Sequence, residues 1–108
     1  MSLDVYLEDE IDGEELYWRN ITHNLNRMAQ TADVYEALWR PEEINVTTAQ
    51  QLIEPLARGI AFLVINRSLC EKDNPSNGWG DWETLYDFCC SYLKACTEHP
   101  LATVRVSR

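Results

Sequence analysis

Leu3, Val5 and Leu7 alternate with Asp4, Tyr6 and Glu8, the period-two pattern of a strand with one buried face. The acidic run that follows ends in Asp12-Gly13, a dipeptide that tolerates positive φ, and Leu16-Tyr17-Trp18 is a second extended segment. Together they predict a hairpin. Near the other end Ala102, Val104 and Val106 alternate with Thr103, Arg105 and Ser107. A third strand there completes a small antiparallel sheet, brings the termini together and sets Arg105 and Arg108 beside the N-terminal acids.

Between the strands the period becomes helical. Ile21, Leu25, Met28, Ala29, Ala32, Tyr35 and Trp39 stack on one stripe, which predicts a helix capped by Asn20 or Thr22 and stopped at Arg40-Pro41. A second pattern opens at Thr47 or Thr48, with Thr47 and Gln50 spaced as a capping box, and continues through Leu52, Leu56, Ile60, Leu63 and Val64. Pro55 inside it predicts either a kink or a short helix followed by another with Pro55 in its first turn. Glu71 to Gly80 is dense in turn formers and reads as a loop. Asp81 then caps a third helix carrying Trp82, Leu85, Tyr86, Cys89, Leu93 and Cys96, ended by His99-Pro100. The expected architecture is α+β: an N-terminal hairpin plus a C-terminal strand packed against about three helices, in one domain over residues 1–108.

Composition narrows the function classes. Apolar residues make up 45% of the chain and charged residues 25%, which argues against wholesale disorder. No stretch approaches the ~20 apolar residues of a membrane helix. The N-terminus carries acids where a secretory signal carries basic and then apolar residues, so a cytoplasmic setting with free cysteines is expected. The 18 acids outnumber the 9 Lys and Arg and leave a formal charge of −9, which disfavours duplex DNA and anionic membranes as targets. Seven of the 18 acids lie in the first 15 residues, before any Lys or Arg. Glu8, Asp9, Glu10 and Asp12 would then either serve only to solubilise the chain or offer a basic protein partner an acidic face, as an inhibitor imitating nucleic acid would.

Candidate chemistry is sparse. Cys89, Cys90, Cys96 and His99 are zinc-ligand types, but on a helix Cys89 and Cys96 stand ~10 Å apart along the axis, too far to share one ion. No metal or cofactor is implied. His23 and His99 are the only candidate bases, and no nucleophile elbow, phosphate loop or dinucleotide fingerprint is present, so the sequence leans away from an enzyme. The densest polar run is Asn20 to Arg27. On a helix Asn20, Asn24 and Arg27 share one edge and His23 points further round, at an N-terminus that Asn20 or Thr22 can cap and whose free N–H groups favour an anionic or carbonyl-rich ligand. Those residues equally suit capping and an ordinary surface. Trp79, between Gly78 and Gly80, lies on no apolar stripe and is placed to close over a planar ligand or over the domain's own core. Arg40 offers a fork for phosphate or carboxylate, or a partner for Glu42 or Glu43.

The runs Asn20-Ile21-Thr22-His23-Asn24-Leu25, Leu38-Trp39-Arg40-Pro41-Glu42-Glu43 and Asn77-Gly78-Trp79-Gly80, with Leu52-Ile53-Glu54-Pro55-Leu56 between them, resemble a family of short bacterial and tailed-phage proteins with no known activity. The likeness includes Ser2 to Leu7 and Val104 to Arg108 and so spans nearly the whole chain. It implies a bacterial cytoplasmic setting, the chain itself bacterial or phage-encoded, and assigns no catalytic residue. Glu8 to Glu15 and Cys89-Cys90 fall outside its pattern.

Two expectations result. The first is a non-enzymatic pocket for a small polar or nucleotide-like ligand, formed by Asn20, Thr22, His23, Asn24, Arg27, Arg40 and Trp79; in a phage it would sequester an immune signalling nucleotide. The second is the acidic docking module. Four tryptophans and five tyrosines in so short a chain also leave a homodimer open.

Overall fold

Strand β1 (Ser2–Glu8) forms the centre of a three-stranded antiparallel sheet of order β2-β1-β3, with β2 at Glu15–Thr22 and β3 at Thr103–Ser107. The computed structural model describes every residue from Met1 to Arg108. Alternation sets the faces: Leu3, Val5 and Leu7 are fully buried, paired in register with Ile21, Arg19 and Tyr17 of β2, while Val5 and Leu7 pair with Val106 and Val104 of β3. The other face is solvated and carries Asp4, Tyr6, Trp18 and Asn20. Gly13 supplies the positive φ of +74° that the hairpin turn needs. The Asp9 carboxylate accepts the N–H groups of Ile11 and Asp12 in that turn.

The stripe from Ile21 to Trp39 is where the fold departs from the helical pattern. Ile21 is the buried end of β2, opposite Leu3, and a 3₁₀ turn at His23–Leu25 leads into a short helix α1 (Asn26–Thr31) and then α2 (Tyr35–Trp39). Two causes operate. Pairing with β1 satisfies the backbone of residues 20–22, which a helix start would leave open. Between α1 and α2, Asp33 takes a left-handed φ of 57°, which no continuous helix accommodates. The cap is Thr22, whose hydroxyl accepts the Asn24 N–H at 3.2 Å; Asn20 lies on the strand.

Pro55 takes the second of its expected roles. A 3₁₀ turn at Ala49–Leu52 precedes α3 (Ile53–Ile65), and Pro55 lies in its first turn, where no intrahelical N–H is lost. The capping glutamine is one position later than expected: Gln51 Oε1 accepts the N–H groups of Thr47 at 2.7 Å and Thr48 at 3.0 Å. Helix α4 (Arg67–Glu71) takes in Glu71 and shortens the loop that follows. Helix α5 (Trp82–Glu98) buries Trp82, Leu85, Phe88, Cys89, Tyr92, Ala95 and Cys96 against α3 and the sheet. Arg105 reaches Glu8 at 2.9 Å as expected, but Arg108 turns away to Glu42 and to the Trp39 carbonyl at 2.7 Å.

Two stability predictions follow from α5. Asp81 Oδ1 accepts the Thr84 N–H at 2.9 Å, and the Asp81 N–H donates to Thr84 Oγ1, a reciprocal cap. The Thr84 N–H and hydroxyl hold the Asp81 carboxyl below its ordinary pKa. The cap's pH-linked stability is therefore present above the unfolded carboxylate pKa and is lost as pH falls through the depressed folded value. Asp81→Ala is expected to cost about 1 kcal/mol at neutral pH in urea denaturation. Asp81→Asn, which caps without titrating, should flatten the acid limb. Farther along, the fully buried Tyr92 hydroxyl has no protein hydrogen-bond partner. Because an orphaned buried hydroxyl costs about 1–3 kcal/mol, Tyr92→Phe should raise the urea midpoint; a lower midpoint would reveal a bound partner.

Candidate functional site

Where β2 ends, the chain turns from the sheet edge into the 3₁₀ turn, and the loop before α5 folds back beside it. Between them lies a groove of about 580 Å³ lined by Met1, Ser2, Asn20, Thr22, His23, Asn24, Asn77 and Trp79. That volume falls in the ~300–1,000 Å³ range of small-molecule sites. The loop is held against the groove by Gly80. Its φ is +92°, and a Cβ there would come within 2.9 Å of Leu25 Cδ1 and 3.1 Å of Thr22 Cγ2, so only glycine lets the backbone lie this close. Asn77 Oδ1 accepts the Trp79 N–H at 3.0 Å and shapes the bend that presents the indole. Trp79 is 69% exposed, so its ring stands in solvent at the rim and covers no core.

The polar wall is held in place by neighbours. Trp39 is buried, and its Nε1–H donates to His23 Nδ1 at 2.9 Å. Since Nδ1 accepts, the neutral ring carries its proton on Nε2 and presents a donor with no partner in the chain. Deprotonating Nε2 chemistry would require a proton on Nδ1, facing the Trp39 N–H, so the arrangement suits recognition rather than base catalysis. Asn20 Nδ2 donates to Ser2 Oγ at 2.7 Å and to Asp4 Oδ1 at 2.9 Å, which leaves Asn20 Oδ1 as an open acceptor. Trp18 Nε1 donates to the same Asp4 oxygen at 3.1 Å. The Asn24 side-chain amide has no partner in the chain, and Asn77 keeps its NH₂ free. The groove thus offers both donors and acceptors beside one aromatic face.

The other expected residues separate. Arg27 borders a second depression of about 470 Å³ with Asn24, Lys72, Asp73, Asn74 and Pro75. Arg40 does not reach the groove: its Nε meets the Tyr35 hydroxyl at 3.4 Å and its Nη1 lies 3.8 Å from Glu43, the pairing alternative of its two expected roles. The helix N-terminus expected to bind anions is a 3₁₀ turn with its Asn24 N–H already bonded to Thr22, and α1 has only six residues. Of the acids expected to form a docking face, Glu8 pairs with Arg105, and Asp9 and Asp12 accept backbone N–H groups of their own turn. Only Glu10 has no partner among the four. No three His, Cys, Asp or Glu side chains converge where they would hold a metal. Burial pushes the Cys89 and Cys96 thiols up to about 12, far from thiolate reactivity. No helix is long and apolar enough to cross a membrane.

Met1, Ser2, Asp4 and Asn77 were not among the residues expected from sequence. Ser2 and Asp4 join through strand register, Ser2 opposite Thr22 and Asp4 opposite Asn20, which becomes visible only once β2 is known to extend that far. Asn77 had a local signal in its Asn-Gly dipeptide, whose side chain commonly bonds the N–H two residues on. Comparison with protein-family models, with curated proteins and with solved structures finds no match.

Proposed function

We propose that the chain is a non-enzymatic binding protein that holds a small polar, nucleotide-like molecule in the groove between Trp79 and the Asn20–Asn24 row. One observation carries this reading: an exposed indole lines the same groove as an oriented imidazole donor and three asparagine or threonine side chains. Planar heterocycles with mixed donor and acceptor edges match such a site, one face on the indole and one edge on the amides. Stacking contributes about 1–3 kcal/mol where the ligand is a base, and each neutral hydrogen bond about 0.5–1.5 kcal/mol. With an open groove, dissociation constants of about 1 μM to 1 mM are expected.

The absence of a second catalytic group beside His23 is why binding, rather than turnover, is the assigned role. In a phage-encoded cytoplasmic setting such a protein would act as a sponge that lowers the free concentration of an immune signalling nucleotide. Isothermal titration against nucleosides, mononucleotides and cyclic nucleotides tests the proposal. Saturable heat with at least one member, competed by no unrelated sugar or amino acid, is the expected result. Heatless titrations across the panel, with protein shown to be folded by circular dichroism, would overturn it.

A further inference from the structure

The groove has a charged neighbour. Asn24 lines both the groove of about 580 Å³ and the depression of about 470 Å³ that carries Arg27 and Lys72. In a chain of net charge −9, two cations stand beside the polar wall with one carboxylate, Asp73, in the same depression. Lys72 has no ion pair, and the Arg27 side chain is 82% exposed. Arg27 meets Asp73 only through Nε, at 3.6 Å, so the two terminal nitrogens of its guanidinium remain free. Asp73 itself is 16% exposed, and its other carboxylate oxygen accepts the Thr31 hydroxyl at 2.6 Å. The carboxylate is thereby tied to the body of the protein while both cations face outward.

Resting on the binding role assigned to the groove, we propose that Arg27 and Lys72 form the anion subsite of the same ligand. The base lies against Trp79, Asn24 sits at the junction, and a phosphate reaches over it to the two cations. The ligand class is then a nucleotide rather than a free base or nucleoside. The groove is lined by polar side chains and by Met1, whereas the depression carries two side-chain cations. A phosphate in the neighbouring depression gains charge-assisted hydrogen bonds from Arg27 and Lys72.

Titration of AMP, GMP, CMP and UMP against the matching nucleosides, with inorganic phosphate as a third arm, separates the two claims. Nucleoside binding measures the groove; the ratio of nucleotide to nucleoside affinity measures the subsite. For whichever base binds, the nucleotide is expected to bind about tenfold or more tighter, with the advantage shrinking as salt is raised. Arg27→Gln and Lys72→Gln should each reduce that ratio and leave the nucleoside affinity unchanged. Both side chains are exposed, and an unchanged melting curve shows the variants folded. Equal affinities for nucleotide and nucleoside, or a ratio that survives both substitutions, overturns the subsite while the groove stands. Phosphate binding as tightly as the nucleotide would separate the depression from the groove and also overturn the shared ligand. If neither nucleosides nor nucleotides bind, both claims fall.

Discussion

Leu25→Ala should lower the unfolding free energy by about 2–5 kcal/mol, measured by urea denaturation, against a total of about 5–15 kcal/mol for a domain of this size. Leu25 is fully buried where the 3₁₀ turn meets the core, and the Gly80 backbone lies directly on its side chain. Truncation removes apolar contact on two sides, from the core cluster and from beneath the Trp79 loop. The cavity cannot collapse easily, because the adjoining β2 is fixed by its register with β1 and Leu25 belongs to a single contiguous buried core. Leu25→Met, which keeps the volume, should cost less than about 1.5 kcal/mol. In conditions where the alanine variant is still folded, the loop should exchange its amide hydrogens faster than in the parent. A loss below about 1 kcal/mol, with loop exchange unchanged, would mean that Leu25 does not support the groove.

The parts of this fold legible in the sequence are those where one period has one interpretation. Leu3 to Leu7 and Val104 to Val106 alternate strictly and become strands, and Asp81 before an apolar stripe becomes a capped helix. Ile21 fits two periods at once, as the head of a helical stripe and as every second residue of β2 after Tyr17 and Arg19. Long-range pairing with β1 decides between them, and no local pattern encodes it. Asp33 hides its left-handed conformation for a related reason: aspartate is common both in helices' surroundings and at such bends, so its identity does not mark the break.

The site was partly legible for a different reason. Asn20, Thr22, His23 and Asn24 are too polar and too closely spaced for a core segment, and Trp79 is too large for a glycine-flanked loop without a role; the structure brings these five to one groove. Arg40 belongs to the same kind of conspicuous signal, yet the end of α2 directs it toward Tyr35 and Glu43. The Trp39 to His23 hydrogen bond that fixes the imidazole is not legible in the sequence, since it joins two side chains 16 residues apart through a tertiary contact that no local pattern encodes.

Trp79→Ala should weaken binding of whichever nucleoside or nucleotide the groove takes by about 5–150-fold, the equivalent of about 1–3 kcal/mol of lost stacking. Stability should stay within about 0.5 kcal/mol of the parent, because a ring that is 69% exposed contributes little to the core. That pairing of effects separates a ligand wall from a core lid: a lid would lose stability first and binding only as a consequence. Trp79→Phe retains an aromatic face of smaller area and should recover part of the affinity. Gly80→Ala approaches the same site by another route. It forces a left-handed conformation on a residue with a Cβ, which costs roughly 1–2 kcal/mol, and drives that Cβ against Leu25 and Thr22, so the loop must lift. Binding should fall in this variant even though the indole is intact, because the ring is displaced from the groove it lines with Asn24 and His23. Calorimetry on the three variants, with urea denaturation alongside, reads both quantities. Full affinity in Trp79→Ala would remove the indole from the site, and a stability loss above about 1 kcal/mol there would return Trp79 to the core.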